Sequence, residues 1–147
     1  MLEQLAAFFQ RKHVPEAPLP APDARVALGT LLVRVAMADK AYLFEEIEQI
    51  DRILAKAYDL KPIEAAKMRA SCERLAFEIK DDVEMAQLIR DNVEYEHRRE
   101  KVEALWQVVL ADGISDEREM ALVELVEKVL GVDRNDSDAA RLAASIA

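Results

Sequence analysis

Apolar side chains recur every three or four residues along most of this chain, the spacing of a buried helix face. The clearest stripes cover residues 28–35, 47–57, 65–79, 85–89 and 102–110. No segment shows the period of two that is typical of a half-buried strand. The pattern therefore predicts an all-α fold of about seven to eight helices, packed as a compact orthogonal helical domain.

Capping residues predict where these helices begin and end. Asp23 is placed to cap the first helix of the domain, and Asp81 or Asp82 to cap a shorter one. A helix from about residue 116 should end before Gly131, because glycine readily adopts the left-handed conformation of a helix end. A last short helix is expected from about Asp136.

The beginning of the chain has a different pattern. Residues 1–13 carry a short amphipathic stripe and predict a helix, whereas residues 14–22 contain four of the five prolines and predict a stiff, extended connector. The all-helical domain then occupies residues 23–147. The N-terminal helix is expected to pack on its own subunit or on a neighbouring one, and the second arrangement would give a homodimer. Weak association with a membrane surface is the alternative. Its apolar stripe is formed by Leu2, Leu5, Ala6 and Phe9.

Composition narrows the range of functions. A formal net charge of −9 disfavours binding to a phosphate backbone and favours cations or a basic protein partner. Cys72 is the single cysteine, so neither an intramolecular disulfide nor a cysteine zinc site is possible, and we expect a reducing cytoplasm. No apolar run approaches the roughly 20 residues that a membrane-spanning helix needs.

The sequence repeats itself within the domain. When the two halves are laid over each other, Asp39 falls on Asp112 and Glu46 on Glu119, within two helix–loop–helix units. One residue is then dropped, so that residues 58–60 fall on residues 130–132. The repeat predicts two helical hairpins packed face to face, with the middle helices filling in. The apolar pairs that support it are Leu32 with Leu105, Val35 with Val108, Ala38 with Ala111, and Ile47 with Met120.

The four repeated carboxylates have two interpretations. Asp39 and Asp112 are predicted at helix C-termini, where the helix dipole disfavours a negative charge by ~0.3–1 kcal/mol. A turn in which the aspartate accepts backbone N–H groups would offset this cost. Glu119 can complete a capping box with Asp116. Alternatively, the carboxylates of Asp39, Glu46, Asp112 and Glu119 converge on Ca²⁺ or Mg²⁺, which prefer hard oxygen ligands.

Several stretches resemble the tellurite-resistance protein B-like (TerB-like) family. They are LLVRVAMAD at 31–39 with its acidic helix start, YDLKPIEAAKM at 58–68, EALWQVVLADGISDERE at 103–119 and LGV at 130–132. The resemblance covers residues 25–145. It implies an all-helical bacterial domain built on an internal duplication, whose acidic positions bind a divalent metal.

The second unit fits the family pattern better than the first. Asp112, Gly113 and Glu119 all match, whereas Lys40 replaces the usual glycine and Leu43 stands where a capping serine or aspartate is expected. Lys40 could neutralise Asp39 without a metal.

Three functions remain open at this point. The first is a non-enzymatic, cation-dependent binding module with a role in tellurite or other stress response. The second is a metal-independent interaction scaffold whose acidic face binds a basic protein. The third is a hydrolase that uses the same carboxylates on a metal, but no nucleophile–base pair or phosphate-binding loop supports catalysis.

Overall fold

The computed structural model describes residues 23–38, 41–78, 81–113 and 116–146. The predicted N-terminal helix at 1–13 and the connector at 14–22 lie outside these residues. The all-α prediction is confirmed, since the described chain contains seven α-helices and no strand. They are α1 (Ala24–Ala36), α2 (Phe44–Tyr58), α3 (Pro62–Glu78), α4 (Asp82–Asn92), α5 (Tyr95–Val109), α6 (Glu117–Leu130) and α7 (Arg134–Ile146).

Helix α1 is the centre of the fold. It packs against α2, α3, α4, α5 and α6, so it is apolar almost all around and not on one face only. Asp23 caps its first turn as predicted, with the carboxylate accepting the Val26 N–H at 2.9 Å. Arg34 leaves the far end and forms a bidentate ion pair with Asp82 at the start of α4, with N–O distances of 2.9 and 3.1 Å.

Helices α1 and α3 approach closely at a glycine. A Cβ atom added to Gly29 would lie 2.4 Å from the Cys72 Sγ, which is far inside van der Waals contact. Both residues are buried. Since interiors are packed to crystal-like density, this contact leaves no room for a side chain at position 29.

The internal repeat is visible in the backbone. Helices α1 and α5 end on Met37 and Leu110, which are matched positions of the repeat and have φ/ψ of −92/−2° and −91/−1°. The N–H of Met37 bonds to the carbonyls of Val33 and Val35. The Leu110 N–H repeats this pattern on the carbonyls of Trp106 and Val108.

The C-termini of α2 and α6 also match, once the alignment of the two units allows for the one residue dropped from the second. Asp59 ends α2 in the left-handed region with φ 52° and ψ 53°, and Gly131 ends α6 there with φ 69° and ψ 32°. The Leu60 N–H bonds to the Ala55 carbonyl at 2.9 Å, and the matching bond of the second unit, from Val132, is 3.3 Å. The two helix ends are therefore the same motif.

The structure extends the repeat to a third helix. Helix α3 begins at Pro62 and α7 at Arg134, which are matched positions in the same register as the ends of α2 and α6. Helix α3 packs on α1 in the first unit, as α7 packs on α5 in the second. Each unit is thus a trio of helices, α1–α3 and α5–α7, and among the described helices only α4 stands between them without a counterpart.

Candidate metal centre

The predicted metal ligands are two aspartates that precede α2 and α6 in the sequence and two glutamates in the first turns of these helices. Helices α1 and α5 end at Ala36 and Val109, before the aspartates predicted at their C-termini. Their C-cap residues adopt the bridge conformation, which ends the α-helical geometry at that point. Asp112 therefore lies half-buried in the turn after α5, and Asp39, at the matching position, lies outside the described residues.

Glu46 is a carboxylate enclosed by the protein. It occupies the first turn of α2 and is only 1% exposed. Its Oε1 atom accepts the backbone N–H of Leu43 at 3.0 Å, which is the glutamate half of a capping box. The other half is missing because the Leu43 side chain has no hydrogen-bond acceptor.

Glu119 repeats this position in the first turn of α6 and is also 1% exposed. Before it, Asp116 is the N-cap as predicted, and its Oδ1 accepts the Arg118 N–H at 2.8 Å. This backbone hydrogen bond holds the pKa of Asp116 below its usual value. The structure therefore places one buried glutamate at the same point of each unit.

The chemistry of these positions fits a hard cation. A carboxylate has two oxygens with about four lone-pair sites, so carboxylates of this kind can combine backbone hydrogen bonds with metal coordination. Within the ranges that the structure describes, no group of three or more His, Cys, Asp or Glu side chains is arranged to hold a metal ion. Glu46, Asp112 and Glu119 all lie in these ranges and do not form such a group by themselves. The four-ligand site includes Asp39, which lies outside the described residues, and so it stays a prediction.

Gly113 follows Asp112 in the better-preserved turn. Its φ of +77° lies in the left-handed region, and a Cβ atom there would meet nothing within 4 Å. The residue is therefore required for its backbone conformation and not for close packing. Lys40, at the matching position of the first unit, lies outside the described residues.

Sequence reasoning missed the arginine side chains that cap the C-terminus of α6. Two arginines from other helices reach the C-terminus of α6: Arg98 donates to the Leu130 carbonyl at 2.6 Å and Arg90 to the Val129 carbonyl at 3.2 Å. They satisfy carbonyls that a helix end leaves open and place positive charge at the negative end of its dipole. No local pattern could have found them, because each is distant in sequence from the carbonyl that it reaches.

Other chemically notable residues have structural environments. His97 pairs with Glu100 at 3.2 Å, and both side chains are largely exposed, as expected for a solvated helix start. Trp106 is buried as predicted and lies beneath the Arg141 guanidinium, 4.4 Å from its ring centroid. Cys72 is fully buried, and burial raises the pKa of its thiol to about 11.

A family model described as tellurite resistance protein TerB matches residues 25–142, which is most of the chain. The chain belongs to the TerB family. The match spans α1 to α6 and most of α7 of this TerB domain. No curated protein and no solved structure was found to match the chain. Among the described helices of this TerB domain, none is both long and apolar enough to cross a membrane.

Proposed function

We propose that this TerB domain is a non-enzymatic cytoplasmic binding module that holds a divalent cation between its two turns. The ligands are the carboxylates of Asp39, Glu46, Asp112 and Glu119. Calcium and magnesium are the candidate ions, because all four donors are hard oxygens. The family name suggests tellurite or another stress response as the setting.

The observation that carries this proposal is the matched burial of Glu46 and Glu119. Removing a carboxylate from water is costly unless hydrogen bonds or a cation replace the lost hydration. Capping alone does not require this burial, since an N-terminal glutamate can bond to the helix backbone from the surface. Both units nevertheless enclose the glutamate to 1% exposure.

Thermal unfolding during titration with Ca²⁺ or Mg²⁺ tests the proposal. A cation that binds only the folded state at 100 times its Kd adds about 2.7 kcal/mol to the free energy of unfolding. The wild-type midpoint should rise with metal, and the rise should disappear in an Asp39→Asn, Asp112→Asn double variant. Asp138→Asn is the matched control, because Asp138 is an exposed aspartate of α7 away from both turns.

Two results would remove the support for a metal. One is an unchanged midpoint at millimolar Ca²⁺ and Mg²⁺. The other is an equal rise in the double variant and the wild type, which would locate the binding elsewhere on this acidic protein.

A metal-independent scaffold for a basic protein is the second candidate function. It is favoured by a row of carboxylates on one face of α5, formed by Glu96, Glu100 and Glu103. Contacts between exposed charges weaken as salt screens them. A partner recovered at low salt should therefore be lost at high salt and from a variant with all three glutamates changed to glutamine. Retention by that variant would contradict this function.

A further inference from the structure

Helix α7 has two apolar stripes, and only one of them is buried. The side that packs into the protein carries Ser137, Ala140 and Ala144. A second stripe, spaced three, four and seven residues along the helix, borders solvent, and its two large side chains are 65% and 80% exposed. One-sided burial does not explain a second apolar face. The stripe consists of Ala139, Leu142, Ala143 and Ile146.

Ala139 and Ala143 of this second stripe line a groove between α5 and α7 of ≈ 510 Å³, and Leu142 and Ile146 extend the apolar surface beyond the groove's lining. Three alanines of α7 line one side of it, and Glu96, Glu100 and Glu103 line the other at positions that share one face of α5. Asp136 adds a fourth carboxylate, which Arg99 approaches at 3.5 Å. The surface thus combines an apolar strip with a parallel row of negative charge, and we name it the α5–α7 groove.

The occupant that suits this surface is an amphipathic helix with basic residues, which lays apolar side chains at spacings of three and four into a groove. Residues 1–13 of this chain have that pattern. Leu2, Leu5 and Phe9 form the stripe, and Arg11 and Lys12 follow it directly. Their charges are complementary to the glutamate row of α5.

The connector is long enough to deliver this segment. Residues 14–22 are rich in proline, and an extended chain of nine such residues spans roughly 28 Å at about 3.1 Å per residue. The domain begins at Asp23, and Arg25 lies 4.6 Å from the Tyr58 ring centroid. Lys101 lies over the same ring at 5.6 Å, next in sequence to Glu100 of the groove. The chain therefore enters the domain near the glutamate row.

We propose that residues 1–13 dock in the α5–α7 groove of their own chain, with Leu2, Leu5 and Phe9 against the outer stripe of α7 and Arg11 and Lys12 facing the glutamates of α5. Tethering favours this occupant over a free one, because a linker that spans the distance to the site makes binding intramolecular and raises the effective concentration of the segment. The docked segment would compete with a basic partner for the same surface. The inference does not depend on the cation.

Hydrogen exchange of the full chain, followed by mass spectrometry, tests the docking. With an effective concentration of about 1 mM and a segment affinity of about 0.1 mM, amides 2–10 should exchange about tenfold more slowly than in an isolated peptide of the same sequence. Leu142→Asp should abolish this protection. Its side chain is 65% exposed, so the change should leave the domain folded, which the thermal midpoint checks.

Leu125→Asp is the matched control, since Leu125 is an exposed leucine of α6 that belongs neither to the groove lining nor to the outer stripe of α7. It should leave the protection of amides 2–10 unchanged. Exchange of these amides at the peptide rate in the wild type would overturn the proposal. Protection that falls on hundredfold dilution would also overturn it, because docking within one chain does not depend on concentration.

Reversing the charges of two residues, singly and together, tests the orientation of the segment. Arg11→Glu and Glu100→Lys should each reduce the protection of amides 2–10, and the double variant should restore most of it. Failure of the double variant to exceed either single variant would refute the pairing of Arg11 with the glutamate row. Glu48→Lys, an exposed glutamate on α2, is the control for the second change and should have no effect.

Discussion

The two helical trios have matching backbone features, but they differ in which helix carries the smaller residue at a matched pair of positions. In the first unit Gly29 lies against Cys72, and the positions that correspond in the second unit are Val102 and Ala144. Both of the latter are buried as well. Thus the smaller residue lies on α1 in one unit and on α7 in the other. A duplicated fold can keep a helix pair densely packed when a larger residue on one helix is matched by a smaller residue on the other.

The largest expected effect on stability comes from enlarging the small residue of the first unit. Gly29→Ala puts a Cβ atom 2.4 Å from the Cys72 Sγ. Overpacking costs up to about 3 kcal/mol and outweighs the gain of about 1 kcal/mol from better helix propensity, so we expect a net loss of about 2 kcal/mol. Urea denaturation of the variant and the wild type measures it.

Cys72→Ala provides the matching control for that prediction. Without the Sγ atom, the new Cβ would meet the Cβ of residue 72 at 3.5 Å, an ordinary contact. In the Cys72→Ala background, Gly29→Ala should therefore be neutral or stabilising, since only the propensity gain remains. An equal loss in both backgrounds would show that the sulfur is not the obstacle.

The next effect compares the two left-handed helix ends. Gly131→Ala should destabilise the protein by about 1 kcal/mol, because a side chain is strained at its φ of 69°. Asp59→Gly should have the opposite sign and stabilise it by about 0.5 kcal/mol, because it relieves the same strain at φ 52°. Thermal unfolding of both variants checks the prediction, and changes of the same sign would contradict it.

A smaller effect concerns the two N-caps. Leu43 begins α2 without a side-chain hydrogen bond, whereas Asp116 at the matching position of α6 makes one. Leu43→Ser should supply the missing acceptor and stabilise the first unit by about 0.5 kcal/mol. Leu43→Ala is the control, because it removes the leucine without adding an acceptor. A serine variant no more stable than the alanine variant would exclude the cap as the cause.

The smallest expected effect is a difference in acid sensitivity. The pKa of Asp116 is lowered in the folded protein, chiefly by the Arg118 N–H, relative to an ordinary value near 3.9. The carboxylate therefore contributes stability above about pH 4, and this contribution is lost as the pH falls through the lowered pKa. Asp116→Asn should lose less stability than the wild type between pH 5 and pH 3. Equal losses in urea midpoints over that range would contradict the assignment.

Local patterns predicted the elements of this fold, and contacts between distant elements escaped them. Asp23, Asp116 and Gly131 were identified as helix ends because capping depends on neighbours in sequence. The approach of Gly29 to Cys72 joins residues on two separate helices and leaves no periodic signal. Helices α3 and α7 were both predicted, but their membership of the repeat was missed, because they begin at matched positions and share few side chains.

The candidate metal centre shows the same limit. Spacing alone selected Glu46 and Glu119 and gave their positions in the first turns of α2 and α6. It did not reveal that both carboxylates are enclosed, because burial depends on how the helices pack. The titration of the wild type and of the Asp39→Asn, Asp112→Asn double variant, described above, therefore tests the cation.

Because Cys72 of α3 lies in close contact with α1, its reaction with an alkylating reagent can report the separation of these two helices. Alkylating reagents attack the thiolate, and this thiol is fully buried with a pKa raised to about 11 by burial. Labelling at neutral pH must therefore wait until α3 separates from α1. Because Cys72 is the single cysteine, the intact mass of the alkylated protein reports the fraction of molecules that have opened at least once.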